Sequence, residues 1–175
     1  APITPNLIAS NGIKIQDEPS NVLTQFEMDT YGRFLSLIFS GQLAQANEHM
    51  ESRLQEIREG FNAIPKQDLL RRIKSRKIYK AFILGRDGRR LEIQFCEKTS
   101  QRTCYDKQLG LSYVTKYRNK KEPEKVYIAS IDNPNLTLDR EKYQEKIVKE
   151  IEHMRGPIMM MLGLKPERDK NMAEN

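Results

Sequence analysis

The sequence contains few cysteines. Cys96 and Cys104 are its two, in a chain of 175 residues. Two cysteines cannot build a disulfide framework, and these have neither CxxC spacing nor a neighbouring histidine, so they do not predict a metal site. The shortage favours a reducing, intracellular compartment, cytoplasmic or nuclear, and nothing in the sequence predicts a metal or a cofactor.

Long apolar runs are also missing. No stretch approaches the roughly 18 consecutive apolar residues of a membrane span, and the N-terminus lacks the charged and then apolar order of a secretory signal. The sequence therefore predicts no membrane partner. Because the chain starts at Ala1 instead of Met, we expect it to have been excised from something longer.

Catalytic motifs are missing as well. Gly85 and Gly88 lack the spacing and the Lys-Ser/Thr of a phosphate-binding loop. His49 and His153 are far apart, and each neighbours a glutamate in a helical pattern, which is typical of surface histidines. We therefore predict no catalytic residues.

The sequence does not exclude one class of enzyme. Metal-dependent nucleases of the PD-(D/E)xK type place an Asp and a following Glu-x-Lys on adjacent strands to hold a divalent ion. Asp87 and Glu92 have a loosely similar order, but no Pro precedes Asp87 and Gln94 stands where the Lys would be. The other residues of this weak arrangement are Lys98 or Lys107 and, upstream, Glu48 and His49. A nuclease is the third and weakest function that we consider.

Positive charge is abundant and unevenly distributed. The net charge is +6, but residues 1–65 carry −4, residues 66–125 carry +11 and residues 126–175 carry −1. A basic middle between acidic flanks indicates a surface that attracts an anionic partner.

The first third of the chain predicts helices. Residues 1–20 contain three prolines and are expected to form an extended arm. Ser20 or Asn21 is predicted to cap a first helix with a broad apolar face. A second helix carries apolar residues three or four positions apart, as in the seam of two packed helices. This helical seam consists of Leu43, Ala46, Met50, Leu54, Ile57 and Phe61.

The middle of the chain predicts a basic helix and a hairpin. The helix runs from Lys66 to about Arg76, with Leu69, Leu70 and Ile73 inward and its cations largely outward. Two strands follow, 78–84 and 91–96, and the alternation of the second puts Leu91, Ile93 and Phe95 on a core face. Asp87-Gly88 between them predicts a type I′ or closely related turn.

A second hairpin and a last helix complete the chain. The strands are 111–117 and 126–131, joined by a basic loop, and the helix from about 138 to 155 is expected to stop at Gly156-Pro157. The fold class is α+β: N-terminal helices, a four-stranded antiparallel meander, and a C-terminal helix packed on one sheet face. Residues 21–164 form a single domain, with a helical part (21–77) and a sheet plus helix (78–164), followed by a flexible charged tail (165–175).

Cations on the basic helix and at both hairpins form the strongest functional signal. In an up-and-down meander the two hairpin turns lie at the same end of the sheet, and several cations on one surface are what a phosphate backbone requires. The predicted nucleic-acid-binding residues are Arg71, Arg72, Lys74, Arg76, Lys77, Arg86, Arg89, Arg90, Lys116, Arg118, Lys120 and Lys121, with Lys125 close by.

Tyrosines are interleaved with these cations. On a sheet face they could stack unpaired bases, which favours single-stranded targets and RNA above all, although edge packing of half-buried rings is the commoner role. The five tyrosines are Tyr79, Tyr105, Tyr113, Tyr117 and Tyr127.

The sequence thus predicts a non-enzymatic protein that binds RNA or single-stranded nucleic acid through a basic face. Its N-terminal helices would mediate self-association into a homo-oligomer, as expected for an accessory protein of a virus or mobile element. The alternative is a protein-protein interaction or oligomerisation module whose basic face binds an acidic partner.

Overall fold

The computed structural model describes residues 23–73, 77–116 and 122–163. These residues form an α+β fold in which helices precede and follow a six-stranded mixed sheet. The predicted arm (1–20) and tail (165–175) lie outside the described residues.

Helix α1, Gln25–Phe39, begins at a capping box. The Thr24 side chain accepts a hydrogen bond from the Glu27 backbone, and the Glu27 carboxylate accepts from the Thr24 backbone in return. The cap is therefore Thr24. The predicted caps Ser20 and Asn21 are wrong, because both precede the N-terminus of the helix by several residues.

Helix α2, Leu43–Glu59, returns antiparallel to α1 and ends at Gly60, before a 3-10 turn over Phe61–Ala63. Apart from Leu43, which is half-buried, the predicted helical seam is buried, with Ala46, Met50 and Ile57 fully inaccessible. These residues pack against α1 and the C-terminal helix of the same chain. A second copy of the protein would therefore have to dock on other residues.

The predicted basic helix is wrong beyond its first turn. Helix α3 is Lys66–Leu69, and Leu70 adopts extended dihedral angles that lead into strand β1, Arg71–Ile73. The reason is tertiary: Leu69 packs into the core between the helices, whereas Leu70 packs into the core of the sheet. Consecutive side chains that enter opposite cores require an extended backbone, which outweighs helix propensity.

The sheet has six strands in the order β1-β2-β3-β6-β5-β4. Neighbouring strands are antiparallel except β3 and β6, which are parallel and pair Gln94 with Val126. After β1, the strands are β2 Ile78–Leu84, β3 Arg90–Cys96, β4 Cys104–Asp106, β5 Leu111–Lys116 and β6 Glu124–Ile128.

The predicted four-stranded antiparallel meander is therefore wrong. The short edge strands β1 and β4 were missed, and β6 lies between β3 and β5. Its consecutive residues Val126 and Tyr127 are both buried, on opposite faces, as expected for an interior strand. A strand that is apolar on both faces is stabilised more in the interior of the sheet than at its edge.

The C-terminal helix α4, Arg140–Met161, passes through the predicted stop at Gly156-Pro157. Pro157 is exposed and removes one backbone donor, while the next residues, Ile158 and Met159, pack into the helical core. That packing stabilises the last turn. Near its other end α4 packs on β2, where the Tyr143 hydroxyl accepts a hydrogen bond from the Phe82 N–H.

Candidate functional site

The structure describes seven of the twelve predicted binding cations. Arg72, Lys77, Arg86, Arg89 and Arg90 are exposed, Lys116 is half-buried, and Arg71 is buried. The remaining five lie outside the described residues: Lys74, Arg76, Arg118, Lys120 and Lys121.

The sheet divides the described cations between its two faces. Arg71 and Arg72 are consecutive on β1, so they point to opposite faces. Lys116 lies on the same face as Arg71. It pairs in register with Glu124 of β6, and Glu124 is two residues before Val126, which lies on the face of Arg71. Among the described residues, the strand cations of the predicted basic face therefore do not all lie on one face of the sheet.

Arg71 and Arg90 are each held by a carboxylate of another element of the fold. Arg71, which was expected to point outward, is 3% exposed and lies 3.5 Å from Glu92. Arg90 donates to the buried carboxylate of Asp139 at 2.7 and 3.1 Å. These arginines are positioned to join elements of the fold.

The arginines of the first hairpin turn are exposed but tethered. The Gly88 N–H donates to the Gly85 carbonyl and Gly88 has φ 84°, which fits a three-residue loop with a left-handed glycine. Arg89 donates to Asp87 at 2.7 Å and to the Gln108 side chain. The turn therefore docks on the β4–β5 turn.

Aromatic residues form one cross-strand row on the other face. The register aligns Tyr79 on β2 with Phe95 on β3, Phe95 with Tyr127 on β6, and Tyr127 with Tyr113 on β5. Phe95 and Tyr127 are buried, whereas Tyr79 and Tyr113 are half-buried. Neighbouring rings lie 5.4 Å (Tyr79–Phe95) and 5.7 Å (Tyr113–Tyr127) apart. These four residues are called the tyrosine row below.

Cations flank both ends of the tyrosine row. Arg72 is exposed and pairs in register with Tyr79. The Lys125 ammonium lies 4.7 Å from the centroid of the Tyr113 ring. Three strand spacings separate Tyr79 from Tyr113, about 14 Å. The row therefore presents two partly accessible rings with a cation beside each.

The other two predicted tyrosines do not join this row. Tyr105 is 58% exposed on the edge strand β4 and pairs with Ser112, so it points to the opposite face. Tyr117 lies outside the described residues. Inside the row, the Tyr127 hydroxyl donates to Asp106 at 2.8 Å, and burial, followed by this hydrogen bond, raises the pKa of Tyr127.

The residues of the nuclease-like order pair with different cations. Asp87 accepts from Arg89, whereas Glu92 lies 3.5 Å from Arg71 and 3.8 Å from Lys80. Within residues 23–73, 77–116 and 122–163, no three His, Cys, Asp or Glu side chains form a group that could hold a metal ion.

His49 packs between helices rather than lying free on the surface. Its Nε2 is 3.0 Å from the Thr30 carbonyl of α1, and burial lowers the pKa of the imidazole. A neutral ring held by a backbone carbonyl explains His49 by helix packing.

A second group of cations surrounds Phe82, on the face opposite to the tyrosine row. It consists of Arg71 and Lys80 from the sheet and of Lys142 and Lys146 from α4. Sequence reasoning missed the two lysines of α4. Their spacing of four residues, which places them on one side of the helix, was the signal that could have found them.

Comparison with protein families, with curated proteins and with solved structures finds no match to this chain. Among the helices that the structure describes, none is both long enough and apolar enough to cross a membrane.

Proposed function

We propose that this protein binds single-stranded nucleic acid, RNA above all, through the tyrosine row and its flanking cations Arg72 and Lys125. The observation that carries the proposal is the placement of two half-buried tyrosines in one cross-strand row, each with a cation beside it. A surface of this kind offers rings for base stacking and charges for the phosphates that connect the bases.

The alternation of faces narrows the predicted site. Arg71 and Arg90 are occupied by Glu92 and Asp139, and Lys116 points away from the row. The tethered turn arginines Arg86 and Arg89 can contact phosphates only at the edge of such a complex. Two rings about 14 Å apart suit an extended single strand better than a duplex, whose bases are already stacked on one another.

Fluorescence polarisation of labelled single-stranded RNA, duplex RNA and single-stranded DNA across a salt series tests the proposal. We expect the single strand to bind with an affinity whose logarithm falls linearly with log salt. Each of Arg72→Gln and Lys125→Gln should weaken binding and reduce the magnitude of the salt slope by about 0.7. The controls Arg33→Gln and Lys149→Gln remove one exposed cation each from a helix and should leave the slope unchanged.

Two tyrosine substitutions test base stacking separately from the contribution of the charges. Tyr79→Leu keeps an apolar contact with Phe95 but removes the accessible ring, so affinity should fall roughly tenfold. Tyr105→Leu removes a more exposed ring from the opposite face and should have no effect. Equal effects of the two changes, or no RNA binding at low salt, would contradict the proposal.

Self-association is a second candidate, favoured by exposed apolar side chains at one end of the helices. Arg53 near the end of α2 donates to the Phe26 carbonyl near the start of α1, and Gln144 near the start of α4 donates to the Ile57 carbonyl of α2. α1 and α4 are therefore parallel, and their C-termini lie at the same end. The exposed residues there are Phe39, Met160, Met161 and Leu162.

An apolar patch of this kind is typical of a contact with another molecule, here a second copy of the chain. Light scattering after size-exclusion chromatography over a concentration series measures the mass. We expect a dimer or larger species that becomes a monomer in Phe39→Ser/Met161→Ser. A monomer at every concentration in the unmodified protein would rule this candidate out.

A further inference from the structure

Strand β4 forms one edge of the sheet and is open to solvent. It is the last strand in the sheet order, and within the described part of the chain no strand pairs with its outer side. Residues 102–105, which lead into and along β4, are all exposed, and Tyr105 is 58% exposed. An edge of this kind offers unpaired backbone groups to another strand.

The β4–β5 turn determines which backbone groups of β4 face outward. The Gly110 N–H donates to the Asp106 carbonyl at 2.7 Å, so the Asp106 backbone faces β5. Because backbone groups alternate in direction along a strand, the N–H and the carbonyl of Tyr105 face away from β5. Thr103, two residues earlier, has the same orientation when the strand continues to it. The edge therefore offers two donors and two acceptors.

The sequence along this edge is self-complementary in an antiparallel arrangement. Residues 102–106 read Arg-Thr-Cys-Tyr-Asp, with a cation two positions before Cys104 and an anion two positions after it. When two copies pair antiparallel about Cys104, Arg102 of each copy lies opposite Asp106 of the other. Opposite charges and β-forming residues in directly opposed positions stabilise strand pairing. Charge complementarity therefore favours a second copy of this chain as the partner.

We infer that two copies of this chain pair along their β4 edges, antiparallel and with Cys104 opposite Cys104 of the second copy. Tyr105 and Thr103 of the second copy then exchange backbone hydrogen bonds, and the symmetric pair does the same. The two Cys104 residues form a non-hydrogen-bonded pair, with Cα atoms about 4.5 Å apart. The thiols stay reduced, and the backbone bonds and the charge pairs hold the two edges together.

The contact along β4 is small. Residues 102–106 supply five residues a side, far fewer than the about 20–30 of a stable interface. Pairing along β4 therefore leaves the mass of the chain in dilute solution unchanged, and it is populated when two chains are held close together. It shares no residue with the exposed apolar side chains at the helix ends, so the two contacts can be tested independently.

The pairing also extends the surface of the tyrosine row, a consequence that rests on the proposed function. Cys104 pairs in register with Tyr113, so it lies on the same face at the end of the row. Opposed residues of paired strands share a face, so both rows lie on the same face of one continuous sheet. Three strand spacings, about 14 Å, separate Tyr113 from Tyr113 of the second copy. Two neighbouring copies therefore present their rings to one single strand.

Disulfide trapping detects the pairing without requiring a stable dimer. Cys96→Ser leaves Cys104 as the one thiol, and diamide takes up the two electrons and two protons that a pair of thiols loses. We expect a disulfide-linked dimer to form at least about tenfold faster than in Cys96→Ser/Thr103→Cys/Cys104→Ser. That control moves the thiol by one exposed position. Two copies of position 103 are diagonal neighbours about 7–8 Å apart, beyond the reach of a disulfide.

A charge reversal tests the register of the pairing. Each trapping rate is divided by the iodoacetamide alkylation rate of the same variant, which corrects for differences in thiol reactivity. In the Cys96→Ser background, Arg102→Glu places an acid opposite Asp106 of the second copy. It should slow normalised trapping about fivefold, because like charges in opposed positions destabilise strand pairing. Lys98→Glu makes the same change at an exposed position of the β3–β4 loop and should leave the rate unchanged.

Equal normalised rates for thiols at positions 103 and 104, or for Arg102→Glu and Lys98→Glu, would overturn the inference. Single-stranded RNA separates it from the proposed function. An RNA long enough for two copies should speed the trapping of Cys104, whereas a short RNA that holds one copy should not. No acceleration by the long RNA would overturn the alignment of the two rows.

The two proposals fail in different ways. Trapping that is specific to position 104 in a chain that binds no RNA would support the edge pairing and contradict the proposed function. RNA binding by a chain whose thiols show no preference for position 104 would do the reverse.

Discussion

Glu27 is the most deeply buried acid in the described part of the chain, 2% exposed near the N-terminus of α1. One carboxylate oxygen accepts from Thr24, and the carboxyl group of Glu150 of α4 lies near that of Glu27. Burial first, and then the contact with Glu150, raises the pKa of Glu27 well above its ordinary value of 4.5. Two acids, one of them deeply buried, therefore meet where α1 packs on α4.

This pair makes stability depend on pH. Because the folded-state pKa of Glu27 lies above its unfolded-state value, folding takes up a proton, and the free energy of unfolding falls as pH rises through the folded-state pKa. Glu27→Gln supplies a neutral donor to Glu150 at every pH. We expect it to raise the free energy of unfolding at about pH 8 by roughly 1–2 kcal/mol and to flatten the pH profile.

Urea denaturation at several pH values measures both effects. Glu145→Gln, an exposed change on α4, serves as the control and should leave the profile unaltered. A Glu27→Gln profile as steep as that of the unmodified protein would show that another group takes up the proton.

Arg155 is a second buried charge, 1% exposed, and it joins α4 to α2. It donates to Glu51 of α2 and, at 2.8 and 3.0 Å, to Glu152 one turn earlier in α4. Both glutamates are partly exposed, so water can solvate them when the arginine is lost.

The volume of the Arg155 side chain should therefore contribute more to the free energy of unfolding than its charge does. Arg155→Ala leaves a cavity and should lower the free energy of unfolding by about 3 kcal/mol, whereas Arg155→Met fills the space and should cost less than about 1.5 kcal/mol. Chemical denaturation compares the two. Equal losses would show that the ion pairs, and not the packing, stabilise the contact.

Among the elements, those whose pattern reflects a single core were predictable. The helical seam of α2 and the alternation of β3 are each decided by one buried face, and the structure confirms both. The elements that were predicted wrongly pack against two cores. Leu69 and Leu70 turn toward different cores, and β6 is buried on both faces, so neither shows a single periodicity.

The candidate site was predictable only in composition. The sequence locates the cations and the tyrosines, but the face on which each one lies depends on strand register. The consecutive arginines Arg71 and Arg72 separate onto opposite faces because β1 is extended. The cluster over Phe82 also needs α4 to dock on β2, a contact between residues more than 50 positions apart.

The C-terminal turns of α4 allow an element-scale prediction. Pro157 lacks the N–H that would bond to the His153 carbonyl, and Gly156 has open space where a side chain would be. Pro157→Ala and Gly156→Ala should each raise the free energy of unfolding by about 1 kcal/mol, because both favour a helix that packing already maintains. Thermal unfolding followed by circular dichroism measures this. A loss of stability in Pro157→Ala would mean that the proline is needed for the direction of the last turn.

On the scale of the whole molecule, β2 connects two hydrophobic cores. Phe82 enters the core of the helices and its neighbour Ile83 enters the core of the sheet. Phe82→Ala should therefore cost about 3–5 kcal/mol, and Ile83→Ala about 2–5 kcal/mol.

Hydrogen exchange shows which elements each of these substitutions destabilises. We expect Phe82→Ala to speed exchange mainly in α1, α2 and α4, and Ile83→Ala mainly in β3, β5 and β6. Uniform acceleration in both variants would instead indicate that the two cores unfold as one unit.

The parallel pairing of β3 with β6 has a kinetic consequence. On either side of it the sheet consists of strands joined in sequence order, β1-β2-β3 and β4-β5-β6, so each half can form from local contacts. The pairing of Gln94 with Val126 closes a loop of about 30 residues and must wait for both halves. Pulse-labelled hydrogen exchange during refolding should therefore find the β3–β6 amides protected last, which makes this junction the slow step in assembling the surface that carries the tyrosine row.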